Sequence, residues 1–140
     1  MKRLALVHIA VLTLFAAVAR AQGPQLPDEG LARMLFPPDL VMQHQQDIAL
    51  KPEQRTTITK AIQEFQTKVV DLQWRMQDQA QKLAALLEKQ SVDQAAALAQ
   101  VDEVLAVERE VKRAHITLLI QIKNALTAEQ QAKLAAFRKS

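Results

Sequence analysis

After Pro52 the chain contains neither proline nor glycine to its last residue, and Ala, Gln, Leu, Lys and Glu make up most of this stretch. These residues are strong helix formers. Within the stretch Ile58, Ile62, Phe65, Val69, Leu72, Met76, Leu83 and Leu86 recur in alternating steps of four and three, interrupted only by Gln79. That spacing is a heptad seam. It predicts one helix over about 52–89, roughly 55 Å long at the standard rise.

A helix of that length needs a break before the chain can fold back. The break falls in KQSVDQ, where Ser91 and, three residues on, Gln94 form a capping-box pattern. The second helix runs through Val101, Val104, Val107, Val111, Leu118 and Ile122 to about residue 125. Two long helices joined by a few residues run antiparallel. The expected fold is all-α: a long antiparallel helical hairpin with a short helix at each end.

A short pattern recurs at both ends of this hairpin. Residues 49–54 read ALKPEQ and residues 125–130 read ALTAEQ. In the second copy Thr127 is an N-cap with Gln130 three residues on, so it ends one helix and starts the last one, about 128–139. Leu126 precedes the cap and is placed to pack on the following turn near Gln131 and Leu134. In the first copy Lys51 stands at the cap position and Leu50 before it. That corner has to rely on Pro52 in the first turn and on Glu53 near the positive helix end. Because the hairpin folds back, the corners Leu50, Pro52, Gln54 and Leu126, Thr127, Gln130 are expected at the same end of the molecule.

The N-terminus has a different character. Lys2 and Arg3 precede an apolar run from Leu4 to Ala19, and Ala19-Arg20-Ala21 has the small-x-small pattern of a cleavage site. Residues 1–21 therefore read as a secretory signal peptide. The alternative, a retained anchor, has fewer apolar residues than the ~20 that a spanning helix needs. Residues 22–38 hold four of the five prolines and both glycines and read as a flexible leader, with at most a short apolar turn at Leu35 and Phe36. Residues 39–140 form the helical domain.

Composition narrows the function classes. Of 18 basic and 15 acidic residues, three basic ones (Lys2, Arg3, Arg20) and no acidic one lie in 1–21, which leaves 15 of each. The basic balance of the whole chain is thus no argument for nucleic acid. With two glycines there is no phosphate-cradling loop. Without cysteine or tyrosine, and with only His44 and His115 beyond the signal, nucleophile-and-base sets are nearly unavailable. Asp71, Asp78, Glu103 and Glu108 are spaced as solvated charges, and the chain does not read as an enzyme.

The Pro-rich leader, the short helix, the two Leu-x-x-x-Gln motifs and the hairpin between them resemble the LTxxQ-motif periplasmic proteins, the Spy/CpxP-like group that includes zinc-resistance-associated and CnrX-type heavy-metal sensor proteins. LTAEQ at 126–130 is a full match, and LKPEQ at 50–54 departs from the motif at its threonine. The resemblance implies a small helical homodimer of the periplasm that answers envelope or metal stress.

Two functions of different class follow. In the first, the protein holds unfolded periplasmic proteins, or a membrane regulatory protein, without ATP and without a cofactor. Trp74 falls opposite the seam, one turn beyond Val70, so it serves either client contact or dimer contact. In the second, the protein senses or sequesters zinc, nickel or cobalt. The resemblance to CnrX-type sensors points to His44, Glu64 and His115 as ligands, three groups that suffice for an open site or one shared across a dimer. Against this, Ile48 and Leu119 stand one turn after the two histidines where further ligands would strengthen a site, and His115 shares a face with Val111, Leu118 and Ile122, as a core-edge histidine does.

Overall fold

The computed structural model describes residues 29–138 and contains five helices and no strand among them. The signal peptide assigned to 1–21 and the first part of the leader lie outside the described residues. The helices are α1 (Glu29–Ala32), α2 (Pro38–Gln43), α3 (Pro52–Leu87), α4 (Gln94–Ala125) and α5 (Ala128–Phe137). α3 and α4 pack along their length as the antiparallel hairpin, and the short helices gather at the end away from the hairpin loop.

Every apolar position of the predicted α3 seam is at least partly buried, Ile58 and Leu72 most deeply. On α4, Val107, Leu118, Leu119 and Ile122 are buried against it. The polar interruption at Gln79 is satisfied across the hairpin: Gln100 Nε2 donates to the Gln79 side-chain oxygen at 2.8 Å and to its backbone carbonyl at 3.1 Å. A half-buried amide paired in this way removes the cost of a polar group in an apolar seam. Farther along, Arg75 makes a two-pronged contact with Glu110, at 2.9 and 2.8 Å, that ties α3 to α4 at mid-length.

The start of α4 differs from the expected one. Asp93, and not Ser91, is the N-cap, its carboxylate accepting from the Ala96 backbone N–H at 3.1 Å. A carboxylate satisfies an orphan donor as a hydroxyl does and adds charge complementarity to the helix end.

The main core lies at the corner end. Phe36, Val41, Ile48, Ile58, Ala61, Leu118, Ile122, Leu126 and Leu134 form one buried cluster to which α2, α3, α4 and α5 all contribute. Phe36, where the sequence allowed a short apolar turn, is 4 % exposed, and residues 31–36 are anchored to the helical body. Lys123 Nζ donates to the Met34 carbonyl at 2.9 Å, and Arg138 donates to the carbonyls of Ala32 and Leu35.

Candidate functional site

The two corners meet, and the contact between them is made by the glutamine of each motif. Gln54 Nε2 donates to Gln130 Oε1 at 2.7 Å, and Gln130 Nε2 donates back to Gln54 Oε1 at 2.9 Å. Each oxygen also accepts from the backbone N–H that precedes its own helix, Lys51 N for Gln54 at 3.0 Å and Thr127 N for Gln130 at 2.9 Å. Each amide nitrogen spends its second proton on a carbonyl next to the other motif, Ala125 for Gln54 at 2.7 Å and Ile48 for Gln130 at 3.2 Å. Both amides thus use all the donor and acceptor capacity that a primary amide has. In water such bonds exchange freely. Here Gln130 is 6 % exposed, and an unmet group would cost more.

The two copies differ at the residue before the helix. Thr127 Oγ1 accepts from Gln130 N at 3.2 Å and completes a reciprocal capping box. Lys51 has no side-chain acceptor, so the first copy keeps only the half contributed by Gln54, with Pro52 at the first helical position. Leu126 is buried beside Leu134, and Leu50 is partly buried against the same cluster. Leu50 is reached through Ala49, whose φ of 49° lies in the left-handed region. The turn is held by Leu50 N to Gln45 O at 2.9 Å and Ala49 N to Gln46 O at 3.0 Å.

The candidate metal ligands are not gathered into one group. His44 caps the C-terminal end of α2 instead of lying within it. Its Nδ1 pairs with Asp47 Oδ2 at 2.9 Å, and its ring stacks on Phe137 with centroids 3.9 Å apart. His115 is half-buried on α4 with its ring tilted against Phe65, centroids 5.9 Å apart. Glu64 is exposed and reaches Lys60 at 3.9 Å. Among the described residues no three His, Asp or Glu side chains are arranged to hold a metal ion. Ile48 and Leu119, the positions where further ligands would have strengthened a site, are both buried in the apolar interior. Among the described residues of one chain, His44, Glu64 and His115 therefore do not form a three-ligand group.

Glu64 instead edges a groove of about 380 Å³ between α3 and α4, floored by Phe65 and Leu118 and rimmed by Lys68, Glu110 and Arg113. Hydrogen bonding from Arg75, with the charges of Arg75 and Lys68, holds the Glu110 carboxyl below its ordinary pKa. Asp71, Asp78, Glu103 and Glu108 are all exposed.

On the outer side of α3, Trp74 is 65 % exposed and Val70, one turn before it, is 53 % exposed. Their neighbours one or two turns away, Thr67, Asp71, Gln77 and Asp78, are exposed as well. An indole that neither packs in the hairpin nor lies under a loop is left free to meet another molecule.

A helical hairpin locked at its corners by twin Leu-x-x-x-Gln motifs, with an apolar pair on its outer face, defines a small all-α protein of the LTxxQ kind. The chain belongs to the heavy-metal resistance family, whose model matches residues 4–133, the family that contains the Spy/CpxP-like and CnrX-type proteins. No curated protein and no solved structure showed significant similarity to the chain. Among the described residues no helix is long and apolar enough to cross a membrane.

Proposed function

We propose that this protein is a periplasmic stress-response binding protein of the Spy/CpxP-like type, which holds unfolded or partner proteins without ATP. The observation that carries the reading is the exposure of Trp74 beside Val70 on the face of α3 turned away from the seam. A tryptophan offers a large rigid contact area at little entropic cost. Set singly among glutamines and carboxylates, it gives weak contact with many chains, not tight contact with one. Trp74→Ala should leave helicity and melting nearly unchanged and weaken the suppression of aggregation of a thermally unfolding model protein. A strong fall in melting would make Trp74 structural and remove the client surface.

A thin hairpin of this size has much surface for its volume, so a second copy of the chain is the expected partner. A monomeric mass by light scattering at micromolar concentration would contradict the dimer.

Membership of the heavy-metal resistance family supports a second reading, heavy-metal sensing or sequestration, for which His44, Glu64 and His115 are the proposed ligands. Since one chain does not gather these groups, such a site would be completed across two chains or by rearrangement. Titration calorimetry with zinc and nickel tests it. Binding tighter than about 100 μM that is abolished by either His44→Ala or His115→Ala would establish the site, whereas isolated surface ligands act independently and bind no tighter than that.

A further inference from the structure

The anchoring of residues 31–36 has an unusual chemistry for a piece of fold. The groups that the helical body grips are main-chain carbonyls of three residues, Ala32, Met34 and Leu35, and the groups that grip them are the cationic side chains of Lys123 and Arg138. A carbonyl carries no sequence information, so these contacts would serve any chain laid in the same place. Among residues 31–36 the one buried side chain is that of Phe36, with Ala32 and Leu35 partly covered. Phe36 is inserted in the core cluster, and the Arg138 guanidinium lies over its ring, 5.6 Å from the centroid. Leu31 and Met34, in contrast, remain 49 % and 60 % exposed.

Arg138 has the environment of a receptor group. Burial works against its charged form and Asp39 on α2 partly offsets this, while its hydrogen bonds go to the segment's carbonyls.

We propose that the surface formed by Lys123, Arg138 and the pocket of Phe36 is a peptide-binding site for apolar segments bearing an aromatic residue, and that residues 31–36 occupy it in cis. The proposal deepens the reading of the protein as a holder of unfolded chains, since such chains present both free carbonyls and aromatic side chains. It adds a surface distinct from that of Trp74. A resident segment lowers the apparent affinity for a competing one by the fraction of time that the site stands open.

The test uses a fluorescent peptide with the sequence of residues 30–37, GLARMLFP, and the same peptide with serine at the phenylalanine. Anisotropy should show the Phe36→Ala protein binding the first peptide about tenfold more tightly than the unaltered protein, because its own segment competes less. Adding Arg138→Gln should abolish the gain, and the serine peptide should bind neither protein. A folded Phe36→Ala protein that binds the first peptide no better than the unaltered one overturns the proposal. Should that variant not fold, hydrogen exchange on the unaltered protein decides. Excess peptide should speed exchange at the amides of Met34 and Leu35, which donate to Leu31 O and Ala32 O at 3.0 and 3.4 Å, and leave that of Gln130 unchanged. Unchanged exchange at Met34 and Leu35 also overturns it. None of these measurements involves Trp74, so the client surface on α3 and this site fail separately.

Discussion

Gln54 and Gln130 hydrogen-bond to one another in both directions, at 2.7 and 2.9 Å, and so join the first turns of α3 and α5 into one joint. The repeated glutamine of the two motifs is a tertiary contact as well as a local cap. Gln130→Ala would strand Ile48 O, Thr127 N and half of the Gln54 amide, and is expected to cost about 2 kcal/mol or more in denaturant unfolding. Since the two residues act as a unit, the Gln54→Ala/Gln130→Ala double variant should cost less than the two single losses together by roughly 1 kcal/mol. Strict additivity would show that the reciprocal pair contributes nothing.

The apolar and polar parts of the second motif should separate in size. Leu126 is buried against Leu134, and Leu126→Ala is expected to destabilise by about 2 to 4 kcal/mol. Thr127→Ala removes a single cap acceptor and should cost about 1 kcal/mol. Equal small losses at both positions, measured by chemical unfolding, would mean that the corner is not packed.

Ala49 offers a gain instead of a loss. Its φ of 49° places a side chain where only glycine is unhindered, which for other residues costs about 1 to 2 kcal/mol. Ala49→Gly is expected to raise stability by about 0.5 to 1 kcal/mol after the added freedom of the unfolded chain is subtracted. A lower melting temperature for this variant would show that the turn before α3 does not need the left-handed conformation.

The joint was only half legible in the sequence. The heptad seam could be read because its period repeats through eight apolar residues, and the one flaw, Gln79, found its partner in Gln100. The local role of Gln130 followed from its spacing to Thr127. Its pairing with Gln54 could not be read that way, because two similar motifs carry no statement that they touch until the hairpin brings them together. Ser91 and Asp93 are both good caps two residues apart, and pattern alone favoured the wrong one. The anchoring of residues 31–36 was hidden for a different reason: carbonyls gripped by Lys123 and Arg138 leave no trace in the segment's own residue types. For the metal candidates, spacing along each helix said nothing of which way the rings turn, and His44 and His115 turn to Phe137 and Phe65.

The mid-hairpin clamp predicts a pH dependence. Arg75, aided by Lys68, holds the Glu110 carboxyl below its ordinary pKa, so the folded state binds its proton less readily than the unfolded chain does. The contribution is therefore present above the unfolded carboxylate pKa and is lost as pH falls through the lower folded one. Thermal melting followed from neutral to acidic pH should fall less steeply for Glu110→Gln than for the unaltered protein. Parallel curves would show that the clamp adds no pH-dependent stability.

Trp74 is the only tryptophan in the chain, which lets its own emission report the proposed client surface. The decisive measurement adds an unfolded, tryptophan-free protein carrying a fluorescent label, with binding read from the label's anisotropy and Trp74 read from its emission and its quenching by acrylamide. Without client, Trp74 should emit as a solvated indole. As client binds, the emission should move to shorter wavelength and the quenching should fall in step with the anisotropy, because a fixed aromatic on the outer face of α3 is being covered. Client binding with both signals unchanged would contradict the account.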